Sequence, residues 1–123
     1  MLVVIKEPNE EAKILNIKND INNFNSIVKG EIKIPFISKE LEKNKIDIVI
    51  NSNSEKMNLE TNLFISSKDK IVDHISGNCI FVSHDKEGKM KELSLKQIDY
   101  IYKNGLNKMF IDKNKKKFCI LST

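Results

Sequence analysis

The sequence has no arginine and no tryptophan, and it contains only two cysteines, two histidines and four glycines. Without arginine, the chain lacks the planar guanidinium fork that binds phosphate, carboxylate or guanine through paired hydrogen bonds. The four glycines are scattered singly, which excludes a glycine-rich phosphate loop. No CxxC pair or His/Cys cluster supplies zinc ligands. No apolar run approaches the length of about 18 residues that a membrane span requires. The familiar enzyme and metal-binding motifs are therefore missing, and we expect no catalysis, cofactor or metal.

The 123 residues are 40% hydrophobic and 31% charged, which is typical of one globular domain. The formal net charge is +4, and all 21 basic residues are lysines. Asparagine, isoleucine and lysine are over-used together, as in proteins from AT-rich genomes, so this charge is weak evidence for a nucleic-acid partner. Cys79 and Cys119 lie inside apolar runs, where a free thiol behaves as a small hydrophobic group. The initial run MLVVI is too short for a signal peptide, so we expect a cytoplasmic protein.

Two helices are predicted. Asp20 caps the first, and Gly30 is placed to end it as a left-handed C-cap before a strand that alternates apolar and polar residues. Ser94 and Gln97 form a capping box at the start of the second, and Gly105 ends it. The apolar positions predicted for these units are Ile21, Phe24, Ile27, Val28, Ile32, Ile34, Phe36, Leu95, Ile98, Ile101 and Tyr102.

Strands are predicted at residues 1–6 and 13–18, paired as a hairpin, at residues 46–50 and around residues 79–82. The tail, residues 108–121, has two apolar runs across a lysine-rich turn, which predicts a C-terminal hairpin. Residues 38–45 are better explained as a surface connection than as a helix turn, and residues 57–65 are ambiguous. The sequence therefore predicts a small single α+β domain, residues 1–123, with a mixed or mostly antiparallel sheet and two helices.

Five segments carry a resemblance to a known family: VVIKEPNEEAKILNI, IVKGEIKI, IVINSNSEKMNLETN, HISGNCIFVS and ELSLKQIDYI. They resemble the family called domain of unknown function 3846, which occurs in bacteriophages and in conjugative or integrative elements. The resemblance covers residues 1–106 and leaves residues 107–123 as a hairpin extension.

Family features can be matched to single positions of this chain. Gly30 and Gly77 match structural turn glycines, and Asn51 and Asn62 match two asparagines of the pattern. Lys29 replaces a family glycine, and residues 58–61 lack the family's prolines. The resemblance implies an accessory protein of a phage or mobile element.

The asparagine-rich loop after the strand at residues 46–50 is the predicted ligand-binding site. Side-chain amides both donate and accept hydrogen bonds, and a loop at a strand end commonly contributes to a pocket. The alternative is that codon usage filled an exposed loop with asparagine. The predicted ligand-binding residues are Asn51, Asn53, Lys56, Asn58 and Asn62.

Other candidate sites have simpler explanations. His74 follows Asp73 and His84 precedes Asp85, but no nucleophile accompanies either histidine, which favours two exposed side chains. The lysine-rich run at residues 113–117 fits a solvated hairpin turn better than a phosphate site. All six phenylalanines lie in apolar contexts, which favours core positions over a base-stacking surface.

Two functional hypotheses remain. The first is a non-enzymatic protein that counters host defence by binding, with an anionic nucleotide signal or a host defence protein as its partner; a sponge of this kind is expected to be a homo-oligomer. The second is a protein-interaction or regulatory module. Nonspecific nucleic-acid binding is a minor alternative, and no membrane partner is expected.

Overall fold

The structure is a computed structural model that describes residues 1–123. It has three α-helices, α1 (Ile21–Val28), α2 (Lys39–Lys43) and α3 (Leu95–Ile101), and α3 continues into a π-helical turn at Tyr102–Leu106. The ten strands are β1 (Leu2–Lys6), β2 (Lys13–Asn16), β3 (Ile32–Lys33), β4 (Ile46–Asn51), β5 (Thr61–Ser67), β6 (Lys70–Ser76), β7 (Cys79–His84), β8 (Met90–Lys91), β9 (Phe110–Ile111) and β10 (Lys117–Ser122).

The strands form two sheets. The first is antiparallel with the order β2-β1-β7-β4-β3, and β8 also pairs with β7. The second has the order β6-β5-β10-β9, in which only the β5–β10 pair is parallel. The predicted α+β class with mostly antiparallel pairing is confirmed, although the chain forms two sheets.

The core has two parts, one on each face of the first sheet. On one face, Phe24 and Val28 of α1 pack against residues of β1, β4 and β7. On the other face, residues of the second sheet and of α2 and α3 form a larger cluster of 16 buried side chains. β1 therefore has buried side chains on both faces, which explains its uninterrupted apolar sequence.

Several predictions about elements were wrong. Residues 38–45 contain α2, because the Ser38 hydroxyl accepts from the Leu41 N–H at 3.1 Å and Leu41 is buried. β6 was not predicted as a separate strand. The strand after α1 covers only Ile32–Lys33, so Phe36 is 66% exposed, and Leu95 on α3 is 77% exposed. Two helices were predicted and the structure has three. α2 was missed because its five residues are too few to show helical periodicity in the sequence.

Gly30 is not the left-handed C-cap of α1. Lys29 adopts that conformation, with φ 63°, and Gly30 follows it. A Cβ on Gly30 would lie 2.7 Å from the Nδ2 atom of Asn51, so glycine is needed there for close approach. Gly77 is a turn glycine, as predicted, with φ 78°. The capping box of α3 is confirmed, with both Ser94–Gln97 hydrogen bonds present.

Candidate functional site

The predicted asparagine loop divides into buried and exposed residues. Asn51, at the end of β4, is buried, and its amide donates to the carbonyl oxygens of Val28 and Lys29 at 3.0 and 3.1 Å. Its Oδ1 atom accepts from the Asn53 N–H at 2.7 Å. Asn51 therefore fixes the end of α1 to the end of β4, and its amide is already fully used within the protein.

Asn62 is also buried, next to an unusual buried lysine. The Asn62 amide donates to the carbonyl oxygens of Lys6 and Gly77 at 2.6 and 2.7 Å, and its oxygen accepts from Lys6 Nζ at 2.8 Å. Lys6 is 0% exposed and also donates to the Glu7 carbonyl oxygen. Burial lowers the pKa of Lys6 from its ordinary value. Contrary to the prediction, the amides of Asn51 and Asn62 are not presented by an exposed loop, because both are buried and bonded within the protein.

The other predicted residues, Asn53, Lys56 and Asn58, are exposed. Asn53 and Lys56 line a cleft of about 250 Å³ between the loop and β6, which we call the asparagine cleft. Asn58 does not line it. The charged side chains around this cleft are Lys33, Glu55, Lys56 and Asp73, beside His74. Because two lysines face two carboxylates, this cleft has no net preference for an anion.

A second, larger cleft lies at the start of α3 and was not predicted. It has a volume of about 570 Å³, and its polar lining includes Lys45, Ser83, Lys91, Lys96 and Tyr100. We call it the lysine cleft. Its lysines come from the α2–β4 turn, from β8 and from α3, so only the fold brings them together.

Gln97 holds the lysine cleft in shape. Its Oε1 atom accepts from the Ser94 N–H at 2.8 Å, while its Nε2 atom donates to the Asn44 carbonyl oxygen and to the Ser83 hydroxyl, each at 2.9 Å. The Ser83 hydroxyl in turn donates to the Lys45 carbonyl oxygen at 2.8 Å. The capping box was predictable, but the contacts of Nε2 with a turn 52 residues away were not.

The lysine cleft has an excess of positive charge. Lys45, Lys91 and Lys96 form no salt bridge; the ion pairs of the protein involve other residues. The one acidic lining residue is Glu92, whose carboxylate already accepts from the Leu2 N–H at 3.0 Å. Burial, with a smaller contribution from Glu40, raises the pKa of Tyr100, so its hydroxyl remains a donor. Three lysines and a tyrosine therefore line the cleft, against one carboxylate that already has a partner.

Neither histidine lines the lysine cleft. His84 Nδ1 is 2.8 Å from Asp47 Oδ2, rather than paired with its sequence neighbour Asp85. The pair is about three-quarters buried, so His84 is not the exposed side chain that was predicted, whereas His74 is exposed. No group of three or more His, Cys, Asp or Glu side chains is arranged to hold a metal ion. No helix is long and apolar enough to cross a membrane.

Comparison with protein families gives one match. The family model for the domain of unknown function DUF3846 matches residues 1–106. The chain belongs to the DUF3846 family. The matched residues of this DUF3846 protein include those of both clefts and end before β9 and β10. No curated protein and no solved structure matches the chain.

Proposed function

We propose that this DUF3846 protein is a non-enzymatic accessory protein of a phage or mobile element. It counters host defence in the host cytoplasm by sequestering an anionic nucleotide signal in the lysine cleft. The observation that carries the proposal is the set of three unpaired lysines around one cleft with a single, already engaged carboxylate.

The size and chemistry of the cleft fit a nucleotide. Its volume of about 570 Å³ lies within the range of about 300–1,000 Å³ that is usual for small-molecule sites, whereas the asparagine cleft, at about 250 Å³, falls below it. Lysine ammonium groups bind phosphate as point charges and do not need the geometry of arginine. Tyr100 adds an aromatic ring and a hydroxyl donor for the remainder of the ligand.

The lining of the cleft supports sequestration rather than turnover. It contains no histidine, which is the commonest general base and the usual activator of a serine nucleophile, and it contains no cysteine or aspartate. Glu92 is the one carboxylate of the lining, and it accepts a hydrogen bond from the Leu2 N–H. A ligand bound here would be retained unchanged.

The test is native mass spectrometry of the protein with a panel of cyclic and ADP-ribose-derived nucleotides, followed by titration calorimetry on any adduct. The double variant Lys91→Gln, Lys96→Gln is expected to weaken nucleotide binding by about a hundredfold or more, because each of the two lost charge-assisted contacts is worth about 1.5–3 kcal/mol. The native mass also gives the number of chains per particle, which tests the expected homo-oligomer.

The matched control is Lys13→Gln, Lys18→Gln, which removes the same charge from exposed positions at β2 and the segment after it. Equal weakening in both double variants would show that net charge, not the cleft, attracts the nucleotide. Loss of binding in Asn53→Ala, Lys56→Gln instead would move the site to the asparagine cleft. A ligand-free protein across the panel would overturn sequestration of these nucleotides.

Binding to a protein partner is the second candidate function, and a separate observation supports it. Ile34 and Phe36, just after the edge strand β3, are 46% and 66% exposed. Apolar side chains beside a free sheet edge are a common docking surface for another chain. We expect the wild-type protein to capture a specific host protein in a pull-down analysed by mass spectrometry, and we expect Phe36→Asp to capture none of it. The control Ile111→Asp, 64% exposed on the other sheet, retains it. A host protein captured equally by both variants would contradict docking at Phe36.

A further inference from the structure

Four aromatic rings form a continuous row across the second sheet, which we call the aromatic row: Phe110, Phe118, Phe64 and His74. Phe110 and Phe118 stack with ring centres 5.8 Å apart, and Phe118 meets Phe64 edge to face at 5.2 Å. The Phe64 ring is 6.4 Å from His74. Each ring comes from a different strand, in the spatial order β9, β10, β5, β6. The row therefore crosses the whole width of the sheet.

The aromatic row lies on the outer face of the sheet. Side chains of neighbouring residues alternate between faces, and the buried neighbours Leu63, Ile65, Cys119 and Leu121 all belong to the core between the two sheets. None of the row's three phenylalanines packs against either core cluster, and all keep part of their surface in water. The prediction that all six phenylalanines are core residues is wrong for these three and for Phe36.

The positive charge of the chain is concentrated in residues 108–117, and Lys116 and Lys117 of this segment line a cleft with Phe64 and Phe118, together with Glu60 and Asp112. Residues 108–117, which contain β9 and the turn to β10, include five lysines and one aspartate. The remainder of the chain has 16 lysines and 16 acidic residues and is therefore neutral. Lys108 Nζ lies 4.8 Å from the centre of the Phe110 ring, in cation–π contact. Lys116 pairs with Glu60, which leaves four lysines of this segment without a carboxylate partner.

We propose that the outer face of the second sheet binds single-stranded nucleic acid. Unpaired bases stack against Phe110, Phe118 and Phe64, and the lysines of residues 108–117 contact the phosphates. Stacking on aromatic side chains combined with a flanking positive surface is the general mode by which proteins hold single strands. A duplex keeps its base faces inside the helix, so it gains only the phosphate contacts. This surface is separate from the lysine cleft, and the proposal does not depend on it.

The same features indicate low sequence preference. Phenylalanine rings carry no hydrogen-bond groups with which to distinguish base edges, and the lysines here are flexible point charges. A partner protein with an apolar face is disfavoured, because docking it would bury the lysine beside Phe110 or force its charge away from the ring. A phosphate group would instead be attracted by the positive charge of that lysine.

The test is fluorescence anisotropy with labelled oligothymidylate and oligouridylate of about 15 nucleotides, and with a DNA duplex of the same length. We expect binding of both single strands and at least about tenfold weaker binding of the duplex at moderate salt. Phe110→Leu keeps an apolar side chain at the edge strand but removes the ring, and it is expected to weaken single-strand binding by about tenfold. Phe36→Leu, the same change in the segment that follows β3 of the first sheet, is expected to leave it unchanged.

A second pair of variants tests the charges. Lys108→Gln, Lys117→Gln is expected to weaken binding and to reduce its salt dependence, whereas Lys13→Gln, Lys18→Gln is expected to do neither. Thermal melts of each variant confirm that it folds. Absence of binding, equal binding of duplex and single strand, or full affinity in Phe110→Leu would each overturn the proposal. A concentration-dependent dimer that Phe110→Leu abolishes, without oligonucleotide binding, would assign the face to self-association instead.

Discussion

Removal of residues 107–123 is expected to abolish cooperative folding, although the family match ends at residue 106. β10 lies between β5 and β9 in the second sheet, and its Cys119 and Leu121 are 0% exposed in the main core. Each large aliphatic side chain removed from a core costs about 2–5 kcal/mol, and total stability is about 5–15 kcal/mol. The deletion also leaves β5 unpaired on one side and uncovers Gly105, which packs directly against the backbone of Ile120.

Thermal and denaturant unfolding followed by circular dichroism tests this expectation. Leu121→Ala is expected to lower the free energy of unfolding by about 2–5 kcal/mol. Ile111→Ala, at a position 64% exposed on β9, is expected to change it by no more than about 0.5 kcal/mol. A sharp transition in the 1–106 fragment would contradict the expectation and show that the family-matched residues fold without β10.

Asn62→Ala is expected to lower the free energy of unfolding by about 3 kcal/mol or more. The substitution removes an acceptor from the buried ammonium of Lys6 and leaves the carbonyl oxygens of Lys6 and Gly77 without their amide donor. Lys6 has no carboxylate partner, so the Glu7 carbonyl oxygen would be its one remaining acceptor in the protein. A buried charge that loses a partner is costly because water cannot replace it.

Urea unfolding of three variants separates this explanation from a ligand-binding role. Asn53→Ala makes the same change at an exposed position of the loop between β4 and β5 and is expected to alter stability by no more than about 0.5 kcal/mol. Lys6→Met removes the buried charge but keeps both amide–carbonyl hydrogen bonds, so we expect a smaller loss than in Asn62→Ala. Unchanged stability of Asn62→Ala, with weaker nucleotide binding, would instead restore Asn62 as a ligand-binding residue.

The sequence predicted a helix or strand well where all of the residues that form it lie in one short segment. The Ser94–Gln97 capping box starts α3 as expected, and the two apolar runs of the tail form the β9–β10 hairpin. The hairpin prediction was nevertheless incomplete. β10 also pairs in parallel with β5, more than 50 residues earlier in the chain, and that pairing has no local signal.

The candidate site was less predictable than the fold. Asn51 and Asn62 were selected because amides both donate and accept, because a loop at a strand end commonly contributes to a pocket, and because both residues match the family pattern. Each is instead buried and bonded to backbone carbonyl groups of distant segments. The lysine cleft was missed because Lys45, Lys91 and Lys96 are unremarkable in their own segments. Side-chain amides and lysines have the same sequence signature whether they bind a ligand, the backbone or water.

By itself, the sequence determined the α+β class, the main strands, the capped helix α3 and the absence of the familiar catalytic motifs, because each depends on residue type and short-range spacing. Only the tertiary structure decided which side chains are buried and which meet. In the folded chain Lys6 is buried beside Asn62, three lysines line one cleft with Tyr100, and three phenylalanines lie on an outer sheet face. Those outcomes depend on which strands pair and which faces pack together, and contacts between distant segments set both.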